Sequence, residues 1–368
     1  MRRFHPNLYR VIQEWEHAKG EPLREISPNV ILIRSADLAV KFLRNQNELT
    51  IEEQSGFYRS ANFNPYPKGV REELSGGIRS LLRKYDPADL WLESFSAMRA
   101  ETRGWGIEVV GSYFSEIMVR AGVREEKSSV GALRALLRGY IRVVVIEDAV
   151  NRRYPLRTAE LNMNYYATRV GRILRLLDDG WTESPRDIID LVCQATGGLC
   201  VSEEDLGELY LRLILSLVGF TGITLEWLLI CHHEALGKLV DGYPSGGKGD
   251  VMRLIAETLR EHPTAWRLVR TSISTTTIAN KVFPAGTDFV VPTSPKAFEY
   301  GSGRLPMNWG LAFGVGESAC PGRSGALDAL AEIAFEVVRR GYQQESARLS
   351  RPYAASLLAP PRMAVRLG

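Results

Sequence analysis

The segment from Leu206 to Leu239, LGELYLRLILSLVGFTGITLEWLLICHHEALGKL, constrains this chain more than any other feature. Its apolar residues recur at three- and four-residue spacings and cover nearly the whole circumference, so it must be a helix enclosed at the centre of a domain. Ser202 stands where an N-cap is expected, and Glu203, Glu204 and Asp205 complement the positive end of the dipole. A helix without a wet face needs other helices around it. From about Glu72 the spacing stays mainly three and four, as in VVGSYFSEIMVRAGV and LRALLRGYIRVVVIEDAV, with breaks at Asp86-Pro87 and Ser184-Pro185.

Strand signals lie outside this helical middle. A short helix is expected over Tyr9 to Ala18, extended chain around Asn29 to Arg34, and helical patterns from Ala36. After the central helix, VMRLIAETLREH carries one apolar stripe (Val251, Leu254, Ile255, Leu259) and places Glu257 and Arg260 one turn apart. The Thr-dense stretch TSISTTTIANKVFPAGTDFVV reads as strands with FPAGT as a turn, and a last helix is expected from about Arg323 to Arg340. The fold class is therefore mainly α with a small β region, an α+β arrangement. The 368 residues show no linker, repeat or low-complexity run. One domain, 1–368, is expected, large enough to bury roughly 75% of its unfolded surface.

The formal charge of +3 is spread along the chain without a dense basic tract, which argues against nucleic acid as a partner. The N-terminal residues carry charges throughout and show neither a signal-peptide core nor a membrane span, so a soluble, cytoplasmic protein with no membrane association is expected. Cys193, Cys200, Cys231 and Cys320 are widely spaced, which fits reduced thiols better than a disulfide framework and leaves one available as a ligand.

Cys320 is the candidate. A thiolate just ahead of a helix is stabilised by the dipole and by backbone N–H groups, which lowers its pKa and favours donation to a metal. Gly314, Gly316 and Gly322 let the backbone pass close to a flat ligand, and Phe313 supplies an aromatic surface. The competing reading is a buried free cysteine on a glycine-rich turn, as for the other three. The segment AFGVGESACPG resembles the haem-binding loop of the cytochrome P450 family: the pattern FxxGx(R/H)xCxG is met by Phe313, Gly316, Cys320 and Gly322. The resemblance implies haem b with Cys320 as the proximal iron ligand, a thiolate that pushes electron density onto iron to favour O–O cleavage.

Further resemblances follow in order. Glu257 and Arg260 match the family's ExxR, implying a structural pair; alone, such a pair is a surface ion pair worth a few tenths of a kcal/mol. Arg270 stands where an arginine reaches a haem propionate, the alternative being a solvated strand arginine. FPAGT resembles IPAGT, AGVREE resembles LGVPEE, and RMAVRLG resembles the last strand, so the likeness covers nearly the whole chain. The implied fold is P450-like. The implied activity is that of a monooxygenase or oxidase acting on a medium-sized organic molecule, in a tailoring step of secondary metabolism. Electrons would come from a ferredoxin and its reductase, docking near Cys320 where Arg323, Arg83 and Lys84 offer positive charge.

The pattern is broken in places. Ser318 replaces the Arg or His before the cysteine. Arg79 is the match to a second propionate arginine, but Ser75 replaces the expected His. The stretch from Gly286 to Phe313 is short, without RDPxxF, and only Arg304 offers itself as a third partner of the ExxR pair. In the long helix, Thr221 and Gly222 fall where the family places an acid and a threonine that relay protons, with Thr224 nearby and Gly219 next to the implied haem. A positioned proton donor is worth roughly 10²–10⁴-fold, so its loss turns attention to Thr221, Thr224, water or substrate as substitutes, or to oxidative coupling, cyclisation or peroxide-driven chemistry. The bland alternative for both threonines is bonding back to helix carbonyls. A haem-binding protein without turnover is a third reading. The pocket is expected to be apolar, lined by Val218, Gly219, Thr221, Leu268 and Val269. Three other signals are set aside: GVGESA lacks the following sheet of a dinucleotide fold, GYPSGGKG lacks the Ser/Thr of a phosphate loop, and Cys231, His232 and His233 point about 100° apart on a helix.

Overall fold

A computed structural model describes residues 21–44, 49–50, 68–85, 99–100, 104–120, 122, 127–151, 156–178, 180, 183–241, 247–295, 298, 309–316, 319–347, 353–354, 357–360 and 363–366. The chain opens with β1 (Leu23–Ser27), β2 (Val30–Ile33), α1 (Ala36–Arg44), β3 (Leu49–Thr50), α2 (Lys68–Lys84) and β4 (Arg99–Ala100). Helices follow: α3 (Trp105–Tyr113), α4 (Ser115–Met118), α5 (Lys127–Tyr140), α6 (Leu156–Leu176) and α7 (Ile188–Thr196). Helix α8 runs as Glu203–Ile214, passes through a π-helical turn at Leu215–Gly219 and resumes as Phe220–Asp241. Then come α9 (Gly247–Glu261), β5 (Arg267–Ser272), β6 (Thr276–Ile278), β7 (Lys281–Phe283), β8 (Asp288–Pro292) and α10 (Arg323–Arg339). The short strands β9 (Gln343–Ala347), β10 (Tyr353–Ala354), β11 (Leu358–Ala359) and β12 (Met363–Arg366) close the chain. The architecture is mainly helical with small sheets, as the patterning predicts. The helix expected at Tyr9 to Ala18 and the AGVREE match, apart from Gly122, lie outside the described residues, as do Ser318 and Arg304.

The chain divides into two compact units, Met1–Tyr66 with Ala256–Cys320 and Pro67–Ile255 with Pro321–Gly368. The first is built on a five-stranded sheet in the order β1-β2-β8-β5-β3, antiparallel except for β2 against β8. Asn29 takes a left-handed φ of 60° in the β1–β2 turn, a conformation its side chain tolerates better than most. The β6–β7 hairpin turns on Ala279 and Asn280, both with positive φ, the combination that matches strand twist. Alternating residues of β2 and β8, Ile31, Ile33, Phe289 and Val291, form one core with Phe42 and Leu43 of α1. Leu311 and Val315 belong to the same core, so the segment leading to Cys320 is held by apolar burial at two points.

The second unit is organised round α8. Ser202 caps it as expected, accepting from the Asp205 N–H at 3.1 Å. At the crossing of α6 and α8 the helices approach so closely that a Cβ on Gly171 would collide with the Glu203 carbonyl and one on Gly207 with that of Ala167. Buried Asp187 caps α7 through the Asp190 N–H at 3.0 Å and also accepts the Arg120 N–H at 3.0 Å. The β-branched run after α5, Ile141–Val150, is π-helical, and its buried residues recur at spacings that suit the wider turn. Among the described residues α8 is the one helix long and apolar enough to cross a membrane, and most of it is buried inside the protein.

Candidate active site

The Cys320 loop is closed by its own backbone. Cys320 N–H donates to the Phe313 carbonyl at 2.8 Å, Ala319 N–H to that of Gly316 at 3.1 Å, and Gly314 N–H to that of Leu311 at 2.9 Å. Gly314 and Gly316 have φ of 66° and 73°, where a side chain would be strained, so the loop's curvature depends on glycine. Gly316 also lies against the end of α1, where an added Cβ would stand 3.2 Å from the Arg44 Cα. Phe313 is steadied edge-to-face by Trp309, with centroids 6.0 Å apart. Anchored by Leu311 and Val315, this loop presents Cys320 exposed; of the three cysteines expected to be buried, Cys193 is, against α6, whereas Cys200 and Cys231 are exposed. A surface-directed cysteine on a rigid glycine turn suits a ligand better than a packing role.

In the same unit, Arg270 on β5 is buried, 4% exposed, and its Nη1 donates to the Val269 carbonyl at 2.8 Å. A buried guanidinium demands partners, which rules out the solvated strand arginine. Its neighbours divide: Val269 is buried and Leu268 half-buried against the core. Glu257 is half-buried on α9 and Arg260 is exposed in its last turn, where the Arg260 carbonyl accepts from Ser294 Oγ at 3.0 Å.

In the second unit, Arg79 is exposed on α2, and Gly322 serves a helix contact, since a Cβ there would lie 3.2 Å from Leu82 Cδ1. The informative surface is α8. Val218, Gly222 and Glu226, spaced by four, all face α3: Val218 would lie 3.4 Å from a Cβ added at Gly111, and a Cβ at Gly222 would stand 2.5 Å from the N and Cα of Ile107. Reciprocally, a Cβ at Gly106 would overlap the Gly222 carbonyl oxygen. No proton-carrying side chain fits at position 222. Gly219 is backed by Val145 of the π segment, which would be 3.4 Å from a Cβ at that position. Thr224 Oγ1 donates to the Phe220 carbonyl at 2.8 Å, the back-bonding alternative, whereas Thr221 is buried with no side-chain hydrogen bond among the described residues.

Sequence reasoning missed two features here. Away from α3, Ser216 and Phe220 are the least buried residues of this part of α8, which marks its open side. Glu226 is 1% exposed and accepts the Gly106 N–H at 2.8 Å, supplying the cap that α3 lacks at Gly104. The one acid within the run from Phe220 to Cys231 was the available signal, because a buried carboxylate must find donors. The set-aside Cys231, His232 and His233 form no metal-binding group among the described residues, and the helix is locally distorted at His232, with φ of −136°.

No protein-family model and no curated protein matches this sequence. Solved structures match along the whole chain. P450BioI, in complex with an acyl carrier protein carrying hexadec-9Z-enoic acid, superposes with a TM-score of 0.64 at 14% identity, covering 98% of this chain and 99% of that one. P450 EryK, a mutant in complex with erythromycin B, gives 0.59 at 14% identity over 99% and 97%. P450 OxyD, involved in the biosynthesis of vancomycin-type antibiotics, gives 0.59 at 15% identity over 98% of each. The fold is that of the cytochromes P450. In chain order the long α8, β5 with Arg270 and the Cys320 loop follow one another as expected, and Gly222 of α8 packs against α3.

Proposed function

We propose that this chain is a haem-thiolate oxidoreductase in which Cys320 binds the iron of haem b. The observation that carries the reading is the exposed Cys320 on a backbone-closed, doubly left-handed glycine turn, in a chain with the P450 fold. The donor set fits the group: a thiolate for iron, Phe313 and the bare backbone of Gly314 and Gly316 for a flat macrocycle, and buried Arg270, with Arg79, for carboxylate groups. When bound, haem supplies electron transfer and dioxygen or peroxide activation.

The chain's own residues then set what the chemistry can be. Gly222 carries no proton and has no room for a carrier, and Thr224 spends its hydroxyl on Phe220. Thr221 is the remaining protic side chain of the expected set. Substrates that bring their own proton, or reactions that insert no oxygen, such as coupling and cyclisation, therefore suit the site better than a standard hydroxylation. The substrate is a medium-sized organic molecule, and the setting is secondary metabolism in the cytoplasm, with the likeness to EryK and OxyD in support of the secondary-metabolic role; of the expected lining, Val269 is buried and Leu268 packs on the sheet's core. Ferredoxin and its reductase supply electrons.

The test is spectroscopic. The reduced carbon monoxide complex should absorb where thiolate-ligated haem does, and Cys320→Ala should lose that band; a band typical of His ligation, or one that survives the substitution, rejects the assignment. Product analysis under labelled dioxygen separates insertion from coupling, since coupling leaves no label. Multiple turnovers with a ferredoxin system would exclude a merely haem-binding protein.

A further inference from the structure

Helix α6 buries one side, through Ala159, Met163, Ala167, Val170 and Leu174, against α5, α7, α8 and the π segment. Its other side is unusual. Of the five large apolar side chains exposed among the described residues, three lie on this helix: Leu161 (62% exposed), Tyr165 (48%) and Leu176 (62%). At 3.6 residues per turn they fall within about 60° of arc. Scattered exposed leucines need no explanation, but a row along one helix does.

Cations accompany the row. Arg169 and Arg172 lie in the same stripe, Arg157 and Arg175 along its edge, and the helix's one acid, Glu160, stands off it, about 100° from Leu161. Three of the four arginines are already positioned. Arg169 stacks its guanidinium 4.3 Å from the Tyr165 ring centroid, Arg172 Nε lies 3.4 Å from Glu203 Oε2, and Arg175 Nη2 donates to the Val201 carbonyl at 2.8 Å. Pre-ordered side chains lose less entropy on binding, and tyrosine and arginine are the residues that anchor protein interfaces.

We propose that this face of α6 docks a partner protein through an acidic amphipathic helix, whose carboxylates meet the arginines while its apolar side covers Leu161, Tyr165 and Leu176. Guanidinium groups pair with carboxylates bidentately, which selects for acidic side chains. A second copy of the chain fits poorly, since a two-fold interface would set this arginine row against itself. A bilayer fits poorly too, because three separated side chains give too little apolar area for interfacial insertion. The proposal does not depend on the haem assignment.

The probe is a fluorescein-labelled synthetic helix of eighteen residues with leucines on one face and glutamates on its flanks, titrated into the full-length, haem-loaded protein. The acidic peptide should bind, at least tenfold more weakly to Arg157→Glu/Arg169→Glu and to Leu161→Ser/Leu176→Ser, and a lysine-for-glutamate peptide should not bind. These side chains are exposed, so unchanged circular dichroism is expected. Equal binding of both peptides, or binding indifferent to the substitutions, overturns the proposal. So does binding of phosphatidylglycerol vesicles, or a dimer in sedimentation, that the same substitutions abolish in place of peptide binding. A plant-type ferredoxin should bind the Arg157→Glu/Arg169→Glu protein unchanged; if that affinity falls tenfold instead, this face is the electron-donor site and no separate partner is needed.

Discussion

Replacing Gly222 with alanine tests the account of α8 directly. The added Cβ would stand 2.5 Å from the backbone N and Cα of Ile107, where ordinary contact begins at 3.4 Å. The obstacle is the backbone of α3, which cannot rotate away, so the two helices must separate by about 1 Å at their crossing, a form of overpacking that costs about 1–3 kcal/mol. The same movement stretches the 2.8 Å bond from Gly106 N–H to Glu226, a buried charge-assisted contact worth about 1.5–3 kcal/mol. Against this, alanine gains about 1 kcal/mol over glycine in a helix interior. The net expectation is a loss of about 2–4 kcal/mol, or a fall in Tm of about 3–5 °C for a chain of this length. Gly237→Ala is the internal control: it lies in the same helix with nothing within 4 Å of the new Cβ and should gain about 0.5–1 kcal/mol. Urea denaturation of both variants, followed by circular dichroism on haem-loaded protein, gives the comparison. A Gly222→Ala protein as stable as the parent would refute the close helix crossing, and with it the claim that no proton carrier fits at this position.

Two further substitutions probe buried polar groups in the same unit. The Tyr342 hydroxyl is buried with no hydrogen-bond partner among the described residues, and burial, with Glu226 nearby, raises its pKa far above the phenol range, so it stays protonated. Tyr342→Phe removes a polar atom without disturbing the ring stacked 5.9 Å from Trp105, and should raise stability by about 1 kcal/mol in thermal melts; a loss of that size would mean the hydroxyl is bonded. Asp187→Ala leaves the N–H groups of Asp190 and Arg120 without their acceptor and should cost about 2–4 kcal/mol in urea denaturation, whereas Asp187→Asn should recover part of it; equal losses for both would assign the effect to charge rather than to capping.

Much of the P450 fold was legible because its elements advertise themselves locally. Ser202 with the three acids after it marks the start of α8, FPAGT falls in the turn before β8, and Arg323 opens α10, each within the reach of one or two turns of chain. The Cys320 loop was legible for the same reason: its curvature comes from Gly314 and Gly316, whose left-handed φ is a local property. The Glu257–Arg260 pair was read from the resemblance to ExxR and from a spacing of one turn, which puts two side chains within reach of each other without saying what each of them bonds.

By itself, then, the amino-acid order settled that Leu206 to Leu239 must be an enclosed helix and that Cys320 is carried on a glycine turn before the last long helix. It could not settle which side of the enclosed helix looks where, since a segment apolar all round has no polar face to orient it. That rotation is decided by contacts between residues more than a hundred positions apart. Gly106 admits the backbone of Gly222, its N–H takes the Glu226 carboxylate, and the face with Ser216 and Phe220 is left open as a consequence.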